Sequence, residues 1–469
     1  MKVGFVSLGC PKNLVDSEVM MGELVARGHE LTSQPGDADV LVVNTCSFID
    51  PAKQESVDTI LEMAEYKKTG RAQKLIVAGC LVERYRGEIQ KDMPEVDALI
   101  GTNELDRIVP LVEGFSQEGS GAVEPYLYHD LTPRILSTPR HHAYIKIAEG
   151  CDHPCTFCVI PQYRGALRSR RFESVMAEAT RLFGQGIREL NLIGQDTTSY
   201  GEDLGLRDGL ASLLERLANI ETPQPKWVRF LYAYPNRITD KLLETIAAHQ
   251  SLVKYIDMPL QHASRNVLKR MKRGSHGDAF LKLLERVRQT IPGISIRTSF
   301  IVGFPGETDA DFEELCQFVE AAKLDRLGVF KYSDEDTSKS YELDGKVDGR
   351  TIENRRRKLM AIQRRVSAKR NKSLVGQEFT VLVEGPSPET ELLWEARMPG
   401  QAPEIDGVVY INDFGDSTPE PGQFRRLRVT EARDYDLIGE LVDQGEPAPV
   451  LPLPLFQILP SRASALPHR

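Results

Sequence analysis

Three cysteines in one short segment could bind a single metal centre. Cys151, Cys155 and Cys158 form a CxxxCxxC pattern directly after the strand-like run Ala143–Ile147. A loop with these spacings can direct three thiolates to one iron–sulfur cubane, which leaves one iron without a protein ligand and open to a substrate or cofactor. The alternative is structural zinc, but such sites normally have a fourth Cys or His ligand. His153 lies inside the loop, where its ring could hardly complete a tetrahedron.

Three further cysteines are far apart in the sequence, but each follows a strand-like run. Cys10, Cys46 and Cys80 lie just past the C-terminal ends of three predicted parallel strands. In an open α/β sheet these ends share one edge, where ligands bind, so the pattern predicts a second three-cysteine cluster site. The alternative is three ordinary buried cysteines. Cys316 lies in a helical segment without a nearby partner, and we expect it to be a core residue.

The composition is that of a globular protein with several domains. The chain has 469 residues, of which 41% are hydrophobic and 27% charged, and two or three domains are expected. No apolar run approaches the roughly 18 residues of a membrane helix, and the apolar stretch at the N-terminus is too short for a secretory signal. These features predict a soluble cytoplasmic protein. In that reducing compartment an odd set of seven cysteines is typical of metal ligands or catalytic groups rather than disulfides.

Alternating strand-like and helix-like segments predict two α/β domains. Residues 1–114 have the pattern of a parallel sheet with helices, and 115–140 read as a linker. His141 and His142 have no partner at ligand spacing, and we expect them to be solvated linker residues. Residues 141–375 contain six βα repeats, which predict a partial TIM-like (βα)6 barrel with its site at the C-terminal ends of the strands. This domain ends with a basic helix at about 352–373.

The last part of the chain changes character. Residues 376–441 contain short strand-like runs that predict a small all-β, OB-like barrel, and the proline-rich residues 442–469 predict a disordered tail. Between 376 and 440 there are fourteen acidic and five basic residues, a net charge of about −9, which equals that of the whole chain. Such a surface repels nucleic-acid phosphates and attracts a basic protein partner, although it could also be a generic acidic surface.

The CxxxCxxC segment resembles the signature of the radical S-adenosylmethionine (SAM) superfamily. The resemblance implies a 4Fe–4S cluster whose open iron binds SAM, and reductive cleavage of SAM to methionine and a 5′-deoxyadenosyl radical. It also implies that Phe157 contacts the adenine. The segment Gly194-Gln195-Asp196 occupies the place of the usual Gly-Gly-Glu, so the contact to the methionine amino group is expected from Gln195 or from the backbone. No general acid or base is predicted.

The order of the three regions resembles the methylthiotransferase family over nearly the whole chain. In that family the C-terminal β module is called TRAM. The segments SLGCPKNLVDSE (7–18) and AEGCDHPCTFCVIP (148–161) are similar to its RimO branch, which modifies an aspartate of the small-subunit ribosomal protein S-twelve (uS12). The sister branch MiaB modifies adenosine in tRNA and typically has Gly-Cys-Gln-Met-Asn where this chain reads Gly9-Cys-Pro-Lys-Asn13.

The resemblance implies a function with two 4Fe–4S clusters and two uses of SAM. One SAM would methylate a sulfur held on the cluster of Cys10, Cys46 and Cys80, and another would be cleaved at the second cluster. The methylthio group would then be added to the aspartate β-carbon of uS12. An external sulfur source and an external electron donor are expected, with no membrane partner and no tRNA. The alternatives left open are a tRNA methylthiotransferase and a non-catalytic iron–sulfur electron-transfer protein.

Overall fold

The computed structural model of the chain describes residues 1–115, 125–445 and 456–459. Within these ranges the chain forms a parallel α/β domain, a partial α/β barrel and a small closed β-barrel, in that order. The predicted fold class is confirmed. None of the helices in the described ranges combines the length and the apolar character needed to cross a membrane.

The N-terminal domain is a five-stranded, fully parallel sheet in the order β2-β1-β3-β4-β5. Its central strand is buried along its whole length, as is usual where helices cover both faces of a parallel sheet. Its strands are β1 (Lys2–Ser7), β2 (Glu30–Leu31), β3 (Val40–Thr45), β4 (Lys74–Gly79) and β5 (Ala98–Ile100). Its helices are α1 (Pro11–Ala26), α2 (Asp50–Thr69), α3 (Cys80–Asp92) and α4 (Ile108–Val112).

The central domain has six parallel strands in two three-stranded sheets, ordered β10-β9-β6 and β11-β12-β13. They lie where the six strand-like runs predicted them. The strands of the domain, with the short antiparallel pair β7 and β8, are β6 (His142–Lys146), β7 (Ala148–Glu149), β8 (Arg168–Ser169), β9 (Glu189–Ile193), β10 (Trp227–Phe230), β11 (Tyr255–Asp257), β12 (Ser295–Val302) and β13 (Arg326–Lys331). Its helices are α5 (Ile160–Arg164), α6 (Phe172–Gly184), α7 (Gly209–Ala218), α8 (Asp240–Ala248), α9 (Arg265–Arg270), α10 (Gly277–Thr290), α11 (Asp309–Ala322) and α12 (Gly349–Lys372).

The C-terminal module is a closed barrel in the order β14-β15-β16-β18-β17, in which only β16 and β18 run parallel. This order is the OB-like arrangement that the sequence predicts. Its strands are β14 (Glu378–Pro386), β15 (Trp394–Arg397), β16 (Val409–Asp413), β17 (Phe424–Ala432) and β18 (Leu437–Leu441). Single-turn 3-10 helices occur elsewhere in the chain at Pro35–Asp37, Leu105–Arg107, Thr197–Ser199, Glu202–Leu204 and Pro235–Arg237.

The concave side of the partial barrel is covered by both neighbouring domains. Val15 and Val19 of α1 form one buried cluster with Tyr144 and other inward side chains of the barrel and with Leu382 of the β module. The outward side chains of the same strands pack against the barrel helices in a separate core. Helix α1 therefore brings the start of the N-terminal domain directly against the barrel.

The interpretation of His141 and His142 as solvated linker residues is wrong. Each is only 2% exposed, and His142 begins strand β6. The β module covers this end of the barrel, so His141 Nε2 lies 2.7 Å from Glu384 Oε2. The described part of the preceding linker, residues 125–140, is also packed: buried Arg134 pairs with Glu18 of α1 and Glu178 of α6.

Four residues of the predicted disordered tail are described, and they return to the N-terminal sheet. Strand β2 pairs with β1 only at Lys2 and Val3, which leaves the rest of that edge of β1 open. The Leu459 N–H donates to the Phe5 carbonyl at 2.7 Å, and the Leu459 side chain is 2% exposed within a core of this domain. Residues 456–459 thus differ from the expected disorder, whereas 446–455 and 460–469 lie outside the described residues.

We expect Leu459→Ala to loosen the N-terminal sheet. The loss of a buried leucine side chain lowers the free energy of unfolding by about 2 kcal/mol, at the low end of the usual range. If the free energy of local opening of β1 falls by the same amount, amide exchange there becomes about 30-fold faster. Hydrogen–deuterium exchange of the β1 peptides measures this. The matched control is Leu392→Ala, because Leu392 is 83% exposed and its loss should leave exchange unchanged. Equal exchange in both variants would show that the tail contact contributes no stability.

Candidate metal centres

The first cysteine trio lies along one edge of the N-terminal sheet. Cys10, Cys46 and Cys80 follow β1, β3 and β4, and Cys80 begins α3. Gly9 has a φ of +86°, and a Cβ at this position would lie 2.9 Å from the Cys46 sulfur, so a side chain there would displace the thiol. Burial and then the neighbouring Cys10 and Cys80 raise the pKa of the Cys46 thiol to about 12. The strand ends therefore bring the three thiols together, as the sequence predicts for this edge.

The second trio lies in the loop between β7 and α5, at the mouth of the barrel. Two backbone hydrogen bonds shape the loop, from Cys151 N to Gly165 O at 3.1 Å and from Cys158 N to Cys155 O at 3.3 Å. Burial and then the neighbouring thiols raise the pKa of Cys158 to about 12. The thiols of Cys46 and Cys158 are consequently protonated at neutral pH unless a cation stabilises the thiolate, and a bound metal would do so.

Neither cysteine trio has its sulfurs as close together as a single zinc ion requires. A tetrahedral zinc ion with Zn–S bonds of about 2.3 Å requires sulfurs roughly 3.8 Å apart. Among the described residues, three ligand atoms lie within 4.8 Å of one another only in His141, His142 and Glu384, so neither cysteine trio is this compact. Three cysteine ligands are the ligand set of a cubane with one open iron. The residues present thus fit an iron–sulfur cluster at each trio.

A buried guanidinium donates to one sulfur of each trio. Arg164 Nη2 lies 3.4 Å from Cys80 Sγ, and Arg273 Nη1 lies 3.5 Å from Cys155 Sγ. Both arginines are at least 93% buried, so their charges act in a medium of low dielectric. A cation beside each trio stabilises thiolates and an anionic cluster. Neither arginine is predicted from the sequence, because neither belongs to a local pattern.

Arg164 also connects the two domains. It belongs to the barrel, yet it hydrogen-bonds to Asn13 and pairs with Asp16 of α1 as well as with Glu149 of β7. Lys146 pairs with the same two carboxylates, at 2.5 Å to Asp16 and 2.6 Å to Glu149. Two cations and two anions, all buried, therefore balance one another at the boundary between the cysteine sites.

The two residues predicted to contact SAM lie near the second trio. The Phe157 ring packs edge-on against Phe304 with a centroid separation of 6.5 Å. Gln195 donates from Nε2 to Glu149, while its Oε1 is buried without a hydrogen-bond partner. An unsatisfied buried acceptor is unusual, and a ligand ammonium would satisfy it. The contacts of Phe157 and Gln195 to SAM stay predictions.

His153 has a different role from that of a metal ligand. Its Nε2 lies 2.6 Å from Asp196 Oδ2, and its ring stacks on Tyr234 at 3.7 Å between centroids. Asp196 also accepts hydrogen bonds from Thr198 and Ser199. His153 and Asp196 thus fix the loop of the second trio against the end of β9.

Comparison with known proteins identifies each domain. Residues 2–101 match the uncharacterized protein family UPF0004, residues 145–319 the radical SAM superfamily, and residues 375–442 the TRAM domain. The chain is similar in fold to the radical SAM methyltransferase TsrM from Kitasatospora setae, solved with tryptophan substrate and a SAM analogue. The TM-score is 0.51 at 14% identity, over 70% of this chain and 72% of that chain. The fold and the matched domains define a radical SAM enzyme.

Two curated relatives place the chain more narrowly. It is 77% identical to the ribosomal protein uS12 methylthiotransferase RimO of Solibacter usitatus, over 96% of this chain and 97% of that protein. It is 60% identical to the RimO protein of Koribacter versatilis, over 94% of this chain and 96% of that protein. The chain belongs to the RimO family of methylthiotransferases. Members of this family use an iron–sulfur cluster and SAM to transfer a sulfur-containing group.

We expect Arg164→Met to weaken the contact between the two domains. The substitution leaves Asp16 and Glu149 with Lys146 alone, and an uncompensated buried charge costs about 3 kcal/mol or more. Hydrogen exchange of α1 and α5 should accelerate by about 100-fold, which is the same free energy expressed as a ratio.

The matched control is Arg171→Met, which removes an exposed arginine from the same region of the barrel. It should leave exchange in α1 and α5 unchanged. If Arg164→Met behaves like this control, the ion-pair network does not hold the domains together.

Proposed function

We propose that the chain adds a methylthio group to the β-carbon of an aspartate in ribosomal protein uS12. The names of its relatives support this proposal, and neither a tRNA methylthiotransferase nor an electron-transfer protein is favoured by them. The structural observation that carries it is the position of the two cysteine trios on opposite sides of one buried boundary. Arg164, six residues after Cys158, reaches across that boundary to Cys80. Two such sites can act on one substrate side chain only if they face each other.

In this proposal each trio holds a 4Fe–4S cluster and leaves one iron open. A cluster held by Cys151, Cys155 and Cys158 would supply the electron for reductive cleavage of SAM, the chemistry with which radical SAM enzymes activate an inert C–H bond. The chain itself holds SAM with Phe157 and Gln195, and its buried surroundings exclude water. The first trio presents the sulfur that is transferred. The sulfur source and the electron donor are external, and the reaction takes place in the cytoplasm.

The cysteine trios can be separated by the iron that each binds. We expect the chain to bind near eight irons after reconstitution, which is the content of two cubanes. The triple substitution of Cys10, Cys46 and Cys80 by alanine should lower the iron content to near four. The triple variant should still form 5′-deoxyadenosine from SAM but should not modify uS12. Iron analysis, chromatography of SAM products and mass spectrometry of uS12 are the measurements.

Cys316→Ala is the control, because Cys316 is a buried core residue of α11 outside both trios. It should retain near eight irons and activity on uS12. Undiminished methylthiolation in the triple variant would contradict the division of labour between the trios. Unmodified uS12 in cells that lack the chain, and modified uS12 when it is restored, would support the proposed substrate.

We also infer that the acidic β module attracts the basic substrate protein. Part of its negative charge is directed inward, since Glu384 meets His141 and Arg397, and Asp406 lies near Arg297 of the barrel. Four acidic side chains of β16 and the loops point outward without a cation within 4 Å in the described ranges. They are Glu391, Asp413, Asp416 and Glu420.

Reversing these four charges should weaken binding of uS12. The variant changes all four residues to lysine. We expect it to raise the dissociation constant for uS12 about tenfold at low salt, and we expect its difference from the native chain to shrink at high salt. Titration of uS12 at two ionic strengths measures this.

The matched control changes the net charge equally but on the other domains. It replaces with lysine four exposed acids that also have no cation within 4 Å in the described part of the chain. They are Glu88, Glu244, Glu285 and Glu314. If this variant binds uS12 as weakly as the first, the overall charge rather than the β module attracts the substrate.

A further inference from the structure

Lys12 is a buried lysine without a carboxylate partner in the described ranges. The residue is 9% exposed, and its Nζ lies 3.4 Å from the Gly194 carbonyl and 3.4 Å from the centroid of the Tyr232 ring. Within residues 1–115, 125–445 and 456–459 no carboxylate oxygen is within 4 Å of this nitrogen. A buried charge without a counter-ion is costly, so such a group is rare unless a ligand supplies the missing charge.

Another lysine at the same boundary shows the contrast. Lys146, 4% exposed, pairs with both Asp16 and Glu149, and Arg164 completes a neutral set of four charges. These carboxylates are therefore already balanced. No carboxylate of this network pairs with Lys12, although the two lysines are similarly buried; the acidic groups that act on Lys12 are the Cys10 thiol and the Tyr232 hydroxyl.

Lys12 lies where the two cysteine sites face each other. It is two residues after Cys10 in the first turn of α1. Its side chain extends to the barrel, where Gly194 follows β9 and Tyr232 lies beyond β10, at the C-terminal ends of the strands. A substrate side chain placed between the trios would come within reach of the Lys12 ammonium.

We propose that the Lys12 ammonium binds the carboxylate of the target aspartate and thereby selects this side chain. The inference rests on the proposed function. The carboxylate of an aspartate is bonded directly to the β-carbon, so an ammonium that fixes the carboxylate also fixes the carbon to be modified. An asparagine would leave the ammonium unpaired, and a buried polar site discriminates strongly against a ligand that fails to satisfy it.

The test compares uS12 with a form of uS12 whose target aspartate is changed to asparagine. With the reconstituted full chain, the dissociation constant for the asparagine form should be about 10- to 100-fold higher than for native uS12, the usual worth of a hydrogen bond between charged groups. In Lys12→Met, which removes the charge and keeps most of the side-chain length, the two forms should bind equally. Iron content and the thermal midpoint establish that the variant is folded and loaded.

Lys53→Met is the matched control. Lys53 of α2 also reaches the barrel, where its Nζ lies 2.9 Å from Glu335 Oε2, but it is outside the cysteine sites. This variant should keep the preference of the native chain for aspartate.

Three outcomes would overturn the inference or its basis. Equal binding of both forms by the native chain, or an unchanged preference in Lys12→Met, contradicts the role of Lys12 and leaves the proposed function unaffected. If the native chain modifies no uS12 in the turnover assay, the proposed function fails and the inference falls with it. Equal binding of the two forms in Lys12→Met, with the preference intact in Lys53→Met, supports the role of Lys12.

Discussion

Buried charges in this protein require partners, and that requirement fixes how the N-terminal domain sits on the barrel. Asp16 comes from one domain, whereas Lys146, Glu149 and Arg164 come from the other, and removing any one leaves a net buried charge in a medium of low dielectric. The pairing is therefore specific in position as well as in sign. Both cysteine trios lie beside this network, so the geometry between them depends on it.

The charge distribution differs between the interior and the surface. At the domain boundaries the charges are balanced, and the same holds below the barrel, where Glu189 and Glu384 pair with Arg229 and Arg397. On the outside of the β module acidic side chains remain without cations. Balanced charges inside give a defined assembly, while an unbalanced surface acts on partners over a Debye length. Lys12 and Arg273 are buried cations without a carboxylate within 4 Å in the described ranges, and each lies beside a cysteine trio.

Local sequence patterns predicted much of the fold and both cysteine trios, because strand ends and loop spacings are local features. Cys10, Cys46 and Cys80 could be placed on one edge from strand order alone. Strands β2 and β5 were missed because two and three residues carry no periodicity. Arg164 and Arg273 were missed because their contacts depend on three-dimensional packing. The burial of His141 depends on Glu384, which lies 243 residues away in the chain.

The return of residues 456–459 to strand β1 affects the order of folding. During synthesis the N-terminal domain emerges first and begins to fold while the barrel is still being made. One open edge of its first strand is covered by Leu459, which the ribosome adds only after the β module is complete. Until then that edge can pair with other chains, which is a known route to aggregation. The first domain to start folding is thus the last to be finished, and a chain that stops early carries an unprotected strand.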